Sequence, residues 1–366
     1  MATEHYYVDP INGSDTNVGG QGRSKDLAWQ SYQWAADNAT TSGSNAYVWF
    51  RPGTYTISAF ININTNEGSG ESDRIYFIGD KYGQIWGTAG TVKIVASGSF
   101  TYMMYVNSKD YITIKNFEII PDQKGIHFQD SDHSIADNCF IHDNVTTGTN
   151  STGIEIVRGI SIIKNCIIKN LTAIGSCYGI DVQTGGTCNL YHNLIYNISG
   201  NVANNASACI YLYHINTVTP YLNATVIGNI CKKTNVQLII CNFYNGTTNA
   251  TVTSNYNTLD KDGTTPRSVR KGVYSGSWAY TDYANLSDWK GEGTFPVSPD
   301  ANSIDSDPLI ENVSGSTLES FKIKSLSPCI NKVPYISDAA ADMFGRPRLK
   351  GNNDIGAHQY NEIKIS

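Results

Sequence analysis

Short triplets in which two apolar residues flank one variable residue recur through the middle of the chain. Five of them, Ile126-His127-Phe128, Ile154-Glu155-Ile156, Ile180-Asp181-Val182, Ile210-Tyr211-Leu212 and Leu238-Ile239-Ile240, begin 28, 26, 30 and 28 residues apart. A second series of apolar segments ends in asparagine, at Asn116, Asn138, Asn165, Asn193, Asn229 and Asn255, with spacings of 22, 27, 28, 36 and 26. The two series keep step. Each repeat carries alternating apolar residues in runs too short for a helix, bounded by Gly, Asn, Ser and Thr, which is the pattern of strand, turn and strand. A unit of this size buries no apolar face alone, whereas coils stacked one strand spacing apart bury a continuous core. The pattern therefore predicts an all-β parallel solenoid. An asparagine at the same turn of every coil exchanges amide hydrogen bonds with its neighbours above and below, so the second series predicts an inner asparagine ladder.

The two ends read differently. Residues 24–43 place Trp29, Tyr32, Ala36 and Ala39 at helical spacing, with Ser24 or Asp26 as N-cap and Gly43 as the stop. One short helix there covers the open end of the stack and protects its edge. Tyr47 to Tyr55 then reads as a first strand and turn, and beyond residue 260 the repeat fades into segments rich in Tyr, Trp and Gly. The expected organisation is an N-terminal strand and capping helix over 1–44, the solenoid over 45–260, and C-terminal coils and an irregular cap over 261–366 packed on the same stack.

Composition supports a turn-rich β protein. Only 16% of the 366 residues are charged, against roughly 25% in ordinary domains. The difference is made up by small polar residues, with 36 Asn and 33 Gly. A net charge of -6 offers no electrostatic footprint for nucleic acid. No window approaches the roughly eighteen consecutive apolar residues of a membrane span. The start, Met1-Ala2-Thr3-Glu4-His5, lacks the basic and apolar stretches of a leader. The expectation is an extracellular protein whose leader is absent from this chain, or a virion component, which could then be oligomeric. Eight cysteines contain no C-x-x-C pair, which argues against a zinc site. They are expected as free thiols packed in a core, with a Cys177–Cys188 disulfide as the alternative.

Several stretches together carry a resemblance. Tyr6-Tyr7-Val8-Asp9, Asn12-Gly13-Ser14-Asp15, the segment from Trp29 to Ala39 and Arg51-Pro52-Gly53-Thr54-Tyr55 resemble the N-terminal signature of right-handed parallel β-helix proteins of the pectate-lyase-like superfamily. Asp307-Pro308-Leu309, Ser327-Pro328-Cys329-Ile330, Asp342 to Arg348 and Asp354-Ile355-Gly356-Ala357 resemble the C-terminal segment common in its secreted members. The resemblance implies the fold over nearly the whole chain. It also implies two chemistries, lyases pairing acidic calcium ligands with a Lys or Arg base, and hydrolases with paired aspartates. The chain has no Asp-Gly-Phe-x-Lys-like stretch and no Gly-His-Gly, so neither motif carries over.

Nucleotide, serine-hydrolase and zinc-protease motifs are absent. Because the flanking residues of each triplet point inward, the central ones share an outward face that reads Tyr105, His127, Glu155, Asp181, Tyr211 and Ile239. Adjacent coils bring Cα atoms about 4.8 Å apart, so Glu155 and Asp181 meet, and either one pKa rises or the pair binds a cation. Tyr105, His127, Tyr211 and His214 are the candidate sugar-binding groups. Lys115, Asp137, Lys164 and His192, each preceding a ladder position, form a second outward row whose alternating charge reads as a salt-bridge stack or makes Lys164 a base. Arg158, four residues after Ile154, is a candidate bidentate ligand for a uronate carboxylate. Long segments between the markers of the central coils predict loops beside this face, and hence a groove.

Two functional readings follow. The first is an enzyme that binds an extended polysaccharide along the strand face and cleaves it as a lyase or glycoside hydrolase, with Glu155, Asp181, Lys164 and Arg158 as catalytic candidates and calcium on Glu155 and Asp181. The second is a non-catalytic structural or receptor-binding protein, such as a virion spike or fibre component or an adhesin.

Overall fold

The structure, a computed structural model, describes residues 3–16, 21–144, 150–183, 185–200, 207–214, 222–232, 236–244, 250–260, 269–275, 277–291, 297–298 and 300–360. Among these residues the strands form three long sheets of ten, nine and eight strands. One coil shows how the chain builds them. Ser151–Val157 lies in the nine-strand sheet, Ile160–Lys164 in the ten-strand sheet and Ile167–Thr172 in the eight-strand sheet, after which Cys177–Gln183 returns to pair in parallel with Ser151–Val157. This is an all-β parallel β-helix, with the right-handed sense that parallel crossovers take. At its far end the nine-strand sheet finishes with an antiparallel hairpin, Val269–Tyr274 and Trp278–Tyr283. Among the described residues no helix is long and apolar enough to cross a membrane.

The core follows from register. Ile126, Ile154, Ile180, Ile210 and Ile239 stack in successive coils and are 0–3% exposed. The fifth triplet is therefore shifted by one: Ile239 continues the inward row and Ile240 the outward one. Three consecutive apolar residues, Leu238 to Ile240, carry no alternation from which to read the phase. All eight cysteines are buried and free, which excludes the Cys177–Cys188 alternative.

The asparagine series divides into two columns. Asn116, Asn138 and Asn165 occupy the first turn residue in the left-handed region, with φ of 65°, 62° and 54°. His192, Gly228 and Tyr256 continue that column in later coils. The next position inward holds Phe117, Cys139 and Cys166, then Asn193, Asn229 and Asn257. These last three form the true inner ladder. The main-chain N–H of Asn193 donates to Asn229 Oδ1 at 3.0 Å and that of Asn229 to Asn257 Oδ1 at 2.9 Å. Asn255, expected in the ladder, instead ends a strand in register with Ile227, and Tyr191 rather than His192 follows Lys164 in the outward row. Asparagine tolerates a left-handed turn and also bonds through its amide, so spacing alone merged two roles.

The capping helix is shorter than its spacing predicts. It spans Tyr32–Asn38, capped by Ser31, whose hydroxyl accepts from the Trp34 N–H at 3.2 Å. Trp29 lies outside it because its backbone is used elsewhere: its N–H donates to Tyr7 O at 2.9 Å and its carbonyl accepts from Asp9 at 2.8 Å. The first strand of the ten-strand sheet is Glu4–Val8, outside Ala46–Phe50.

The C-terminal segment turns back along the outside of the stack. Lys232 pairs with Asp307 at 2.8 Å, Lys169 donates to Gly315 O at 2.7 Å, Arg348 to Asn165 Oδ1 at 3.3 Å, and Lys81 to Met343 O at 2.8 Å. Phe321, Ile323, Met343 and Ile355 bury themselves against Phe140, Ile167, Leu194 and Ile230 of the coils. The segment is a strap across the outer wall.

Candidate functional site

On the nine-strand sheet the row Tyr105, His127, Glu155, Asp181, Tyr211 and Ile240 is in register, and Arg270 follows it. Strand alternation turns these side chains away from the core, yet His127, Glu155 and Asp181 are only 2%, 3% and 1% exposed. Their neighbours on the same face shield them.

One neighbour is a residue that alternation does not predict. Lys124 lies three positions before His127 but on the same side, because Gly125 and Ile126 both face inward. Gly125, Gly153 and Gly179 stack at this kink, and a Cβ on Gly153 would lie 2.6 Å from Gly179 O. From there Lys124 Nζ reaches both carboxylate oxygens of Glu155 at 2.8 Å, while His127 Nδ1 shares a hydrogen bond with Glu155 Oε2. Gln183 Nε2 donates to Asp181 Oδ2 at 2.6 Å and to Glu155 Oε1 at 3.3 Å. One amide nitrogen thus spans both carboxyl groups.

Environment drives the two acids apart. Burial would raise the Glu155 pKa, but the His127 hydrogen bond and the Lys124 charge outweigh it and hold this carboxyl below its usual range. Burial and the negative charge of Glu155 both push Asp181 well above its usual range. Asp181 Oδ1 accepts no hydrogen bond among the described residues. The surroundings thus favour the charged form of Glu155 and the protonated form of Asp181. Such division within one pair is a mark of acid–base sites.

Aromatic rings flank the cluster on both sides along the stacking axis. Tyr102 stacks on Tyr105 at 4.9 Å, and the His127 ring lies 4.5 Å from the Tyr102 ring. On the other side Tyr178, in the same strand as Asp181, stacks on Tyr211 of the next coil at 4.7 Å, with Tyr213 5.9 Å from Tyr211 and Trp278 6.1 Å from Tyr213.

Other expected members lie elsewhere. Lys164 is on the ten-strand sheet, where its ammonium donates to the Asp338 carbonyl, so it is no base for Glu155 or Asp181. Arg158 sits at the turn with φ 64°, its guanidinium committed to Asp130 through two hydrogen bonds, one of 2.6 Å. His214 alternates inward with Leu212, beside Phe243, is 1% exposed and has its pKa lowered by burial, so it does not present its ring to the face. The segments 145–149, 201–206, 215–221 and 245–249, where most of the long loops were expected, lie outside the described residues.

Calcium does not fit this pair. The ion asks for six to eight oxygen ligands, whereas Glu155 is held by an ammonium and an imidazole, and an amide N–H points at both carboxyls. Among the described residues no group of three or more His, Cys, Asp or Glu gathers in a metal-holding arrangement.

No family profile and no curated protein sequence matches the chain. Solved structures do. A rhamnogalacturonan lyase aligns over 94% of this chain and 99% of its own, at 11% identity and a TM-score of 0.50. Pectate lyase Pel9A aligns over 99% and 98%, at 16% identity and a TM-score of 0.41. At such identities the likeness speaks to architecture alone: the chain shares the parallel β-helix fold of the rhamnogalacturonan lyase.

Proposed function

We propose that this protein binds an extended polysaccharide along the nine-strand face and cleaves it by hydrolysis at Glu155 and Asp181. The observation that carries the reading is the pair of carboxyl groups joined by one Gln183 nitrogen, whose pKa values are moved in opposite directions. Asp181 donates its proton to the departing glycosidic oxygen, and Glu155 attacks the anomeric carbon to form a glycosyl ester. Asp181, now a base, then draws a proton from the water that releases the sugar. Groups sharing one amide are too close for the separation of about 6.5–9.5 Å that an inverting enzyme keeps for its water, so the outcome is retention. Lys124, Gln183, Tyr102, Tyr105 and Tyr211 form the rim that substrate meets first, above the buried carboxyls.

Elimination has less support. Lys164 and Arg158, its expected bases, stand away from the pair, and Lys124 is already tied to Glu155. A second reading, a non-catalytic face stiffened by a polar stack, draws on the near-complete burial of the same carboxyls.

One assay separates all three. Incubation with a panel of acidic and neutral polysaccharides should release reducing ends without ultraviolet-absorbing products, and Glu155→Gln should cut the release roughly a hundredfold. Unsaturated products would convert the reading to a lyase; no release from any polymer would leave the structural one. Turnover should fall as pH rises through the elevated pKa of Asp181, which must hold a proton, and fall in acid as Glu155 gains one.

A further inference from the structure

The ten-strand sheet carries a second built surface, remote in its chemistry from Glu155. Two outward rows run along it in register: His5, Tyr47 and Tyr76, and beside them Trp49, Ile78, Lys115, Asp137 and Lys164. The strap segment Ser337 to Asp342 passes in front of the second row and encloses a cleft of about 440 Å³. That volume is of the size that holds small ligands.

Its floor is aromatic. Tyr47 stacks on Tyr76 at 4.7 Å with ring planes 7° apart, and on Trp49 at 6.0 Å with planes 12° apart. All three rings are half-buried, so they are held in place yet reachable. Beside them the polar groups are fixed by their own partners. Lys115 pairs with Asp137 at 2.8 Å, Lys164 donates to the Asp338 carbonyl, and Asn165 donates to Asp137 at 3.3 Å. Asn138, also on the wall and 6% exposed, donates to Asn116 at 3.0 Å, while its Oδ1 accepts no hydrogen bond among the described residues. A buried acceptor left without a donor is costly unless a ligand supplies one.

A pyranose ring answers this combination. Its C–H face lies on aromatic rings, and its hydroxyls donate and accept in turn, which suits Asn138 Oδ1, the Asp137 carboxylate and the two ammonium groups. An inorganic anion would meet Asp137, and an apolar segment would leave Asn138 Oδ1 unserved. We propose that the cleft between the ten-strand sheet and the strap is a second saccharide-binding site. It holds a sugar of a glycan chain apart from the Glu155 face. It stands independently of the cleavage reading.

Calorimetric titration with two probes, a neutral cellotetraose and an acidic tetragalacturonate, tests it on wild type, Glu155→Gln, Tyr76→Ala and Tyr76→Phe, each beside its melting curve. At least one probe should bind wild type, and Glu155→Gln should keep this site. Tyr76→Ala should lose tenfold or more in affinity there with little change in melting, and Tyr76→Phe, which keeps the ring, should bind nearly as wild type. The preferred probe tells whether the lysines recognise a carboxylate. Should Tyr76→Ala not fold, Lys164→Met decides, with an expected loss of several-fold. Binding of neither probe, or unchanged affinity in Tyr76→Ala or in the deciding Lys164→Met, would overturn the proposal, whereas loss of cleavage alone would speak only against the Glu155 reading.

Discussion

Two polar stacks run through this solenoid on the same principle, and they end in opposite states. Asn193, Asn229 and Asn257 lie one above another at a turn, and so do His127, Glu155 and Asp181 on the nine-strand face. An amide has donors and acceptors, so each asparagine answers the next: Asn229 Nδ2 also holds the Leu190 carbonyl at 2.8 Å. Carboxylates only accept. Stacking two of them is eased by a cation, a shared donor and a raised pKa on one partner, here Lys124, Gln183 and Asp181. The neutral stack is complete within the fold. The acidic one is held in balance by its protonation state, and that state can change with pH or substrate.

The largest expected effect is on the neutral stack. Asn229→Ala removes the amide donor to the Leu190 carbonyl and the acceptor of the Asn193 main-chain N–H, at about 1–3 kcal/mol for each buried group. A steep drop in melting temperature should follow, and an unchanged melt would show that this stack is not what holds the turns. Next comes Glu155→Gln, which should reduce turnover roughly a hundredfold, as for loss of an essential acid–base or nucleophilic group. It should also lower the melt, because Lys124 and His127 lose the charge they face.

Asp181→Asn should sharpen the contrast in the other direction. A folded-state pKa above the unfolded value of about 3.9 means that the folded chain binds more protons, so stability declines as pH climbs from about 4 through the elevated pKa. The amide removes that dependence. At neutral pH a gain of about 1 kcal/mol, the scale of one buried hydrogen bond, and a flatter profile of melting temperature against pH are expected, together with lost turnover. Glu155 contributes with the opposite sign, its stabilisation present above its unfolded pKa and lost as pH falls through the folded one. The smallest effect belongs to Arg158→Ala, whose exposed pair with Asp130 is worth at most about 1 kcal/mol. Its turnover should match wild type, and a large loss would return Arg158 to the site.

The local pattern of the chain determined a good deal by itself. A two-residue alternation repeated in step at each coil places Tyr105, His127, Glu155, Asp181 and Tyr211 in one row, because parallel stacking leaves little freedom of register once one face is buried. It failed where the pattern was degenerate or broken: at Leu238 to Ile240, where every residue is apolar, and at Lys124, where the Gly125 kink puts two residues inward in succession. Asparagine spacing could not separate the left-handed turn residue from the ladder, since one side chain serves both. What the tertiary structure alone decided is which charged groups meet. Lys164 and Glu155 are nine residues apart yet belong to different sheets, while Lys124 and Glu155 are 31 apart and in contact. The strap is the same case, joining residue 343 to residue 81. Burial, and with it the opposite direction in which the Glu155 and Asp181 pKa values move, depends on these long-range neighbours, and no local pattern encodes them.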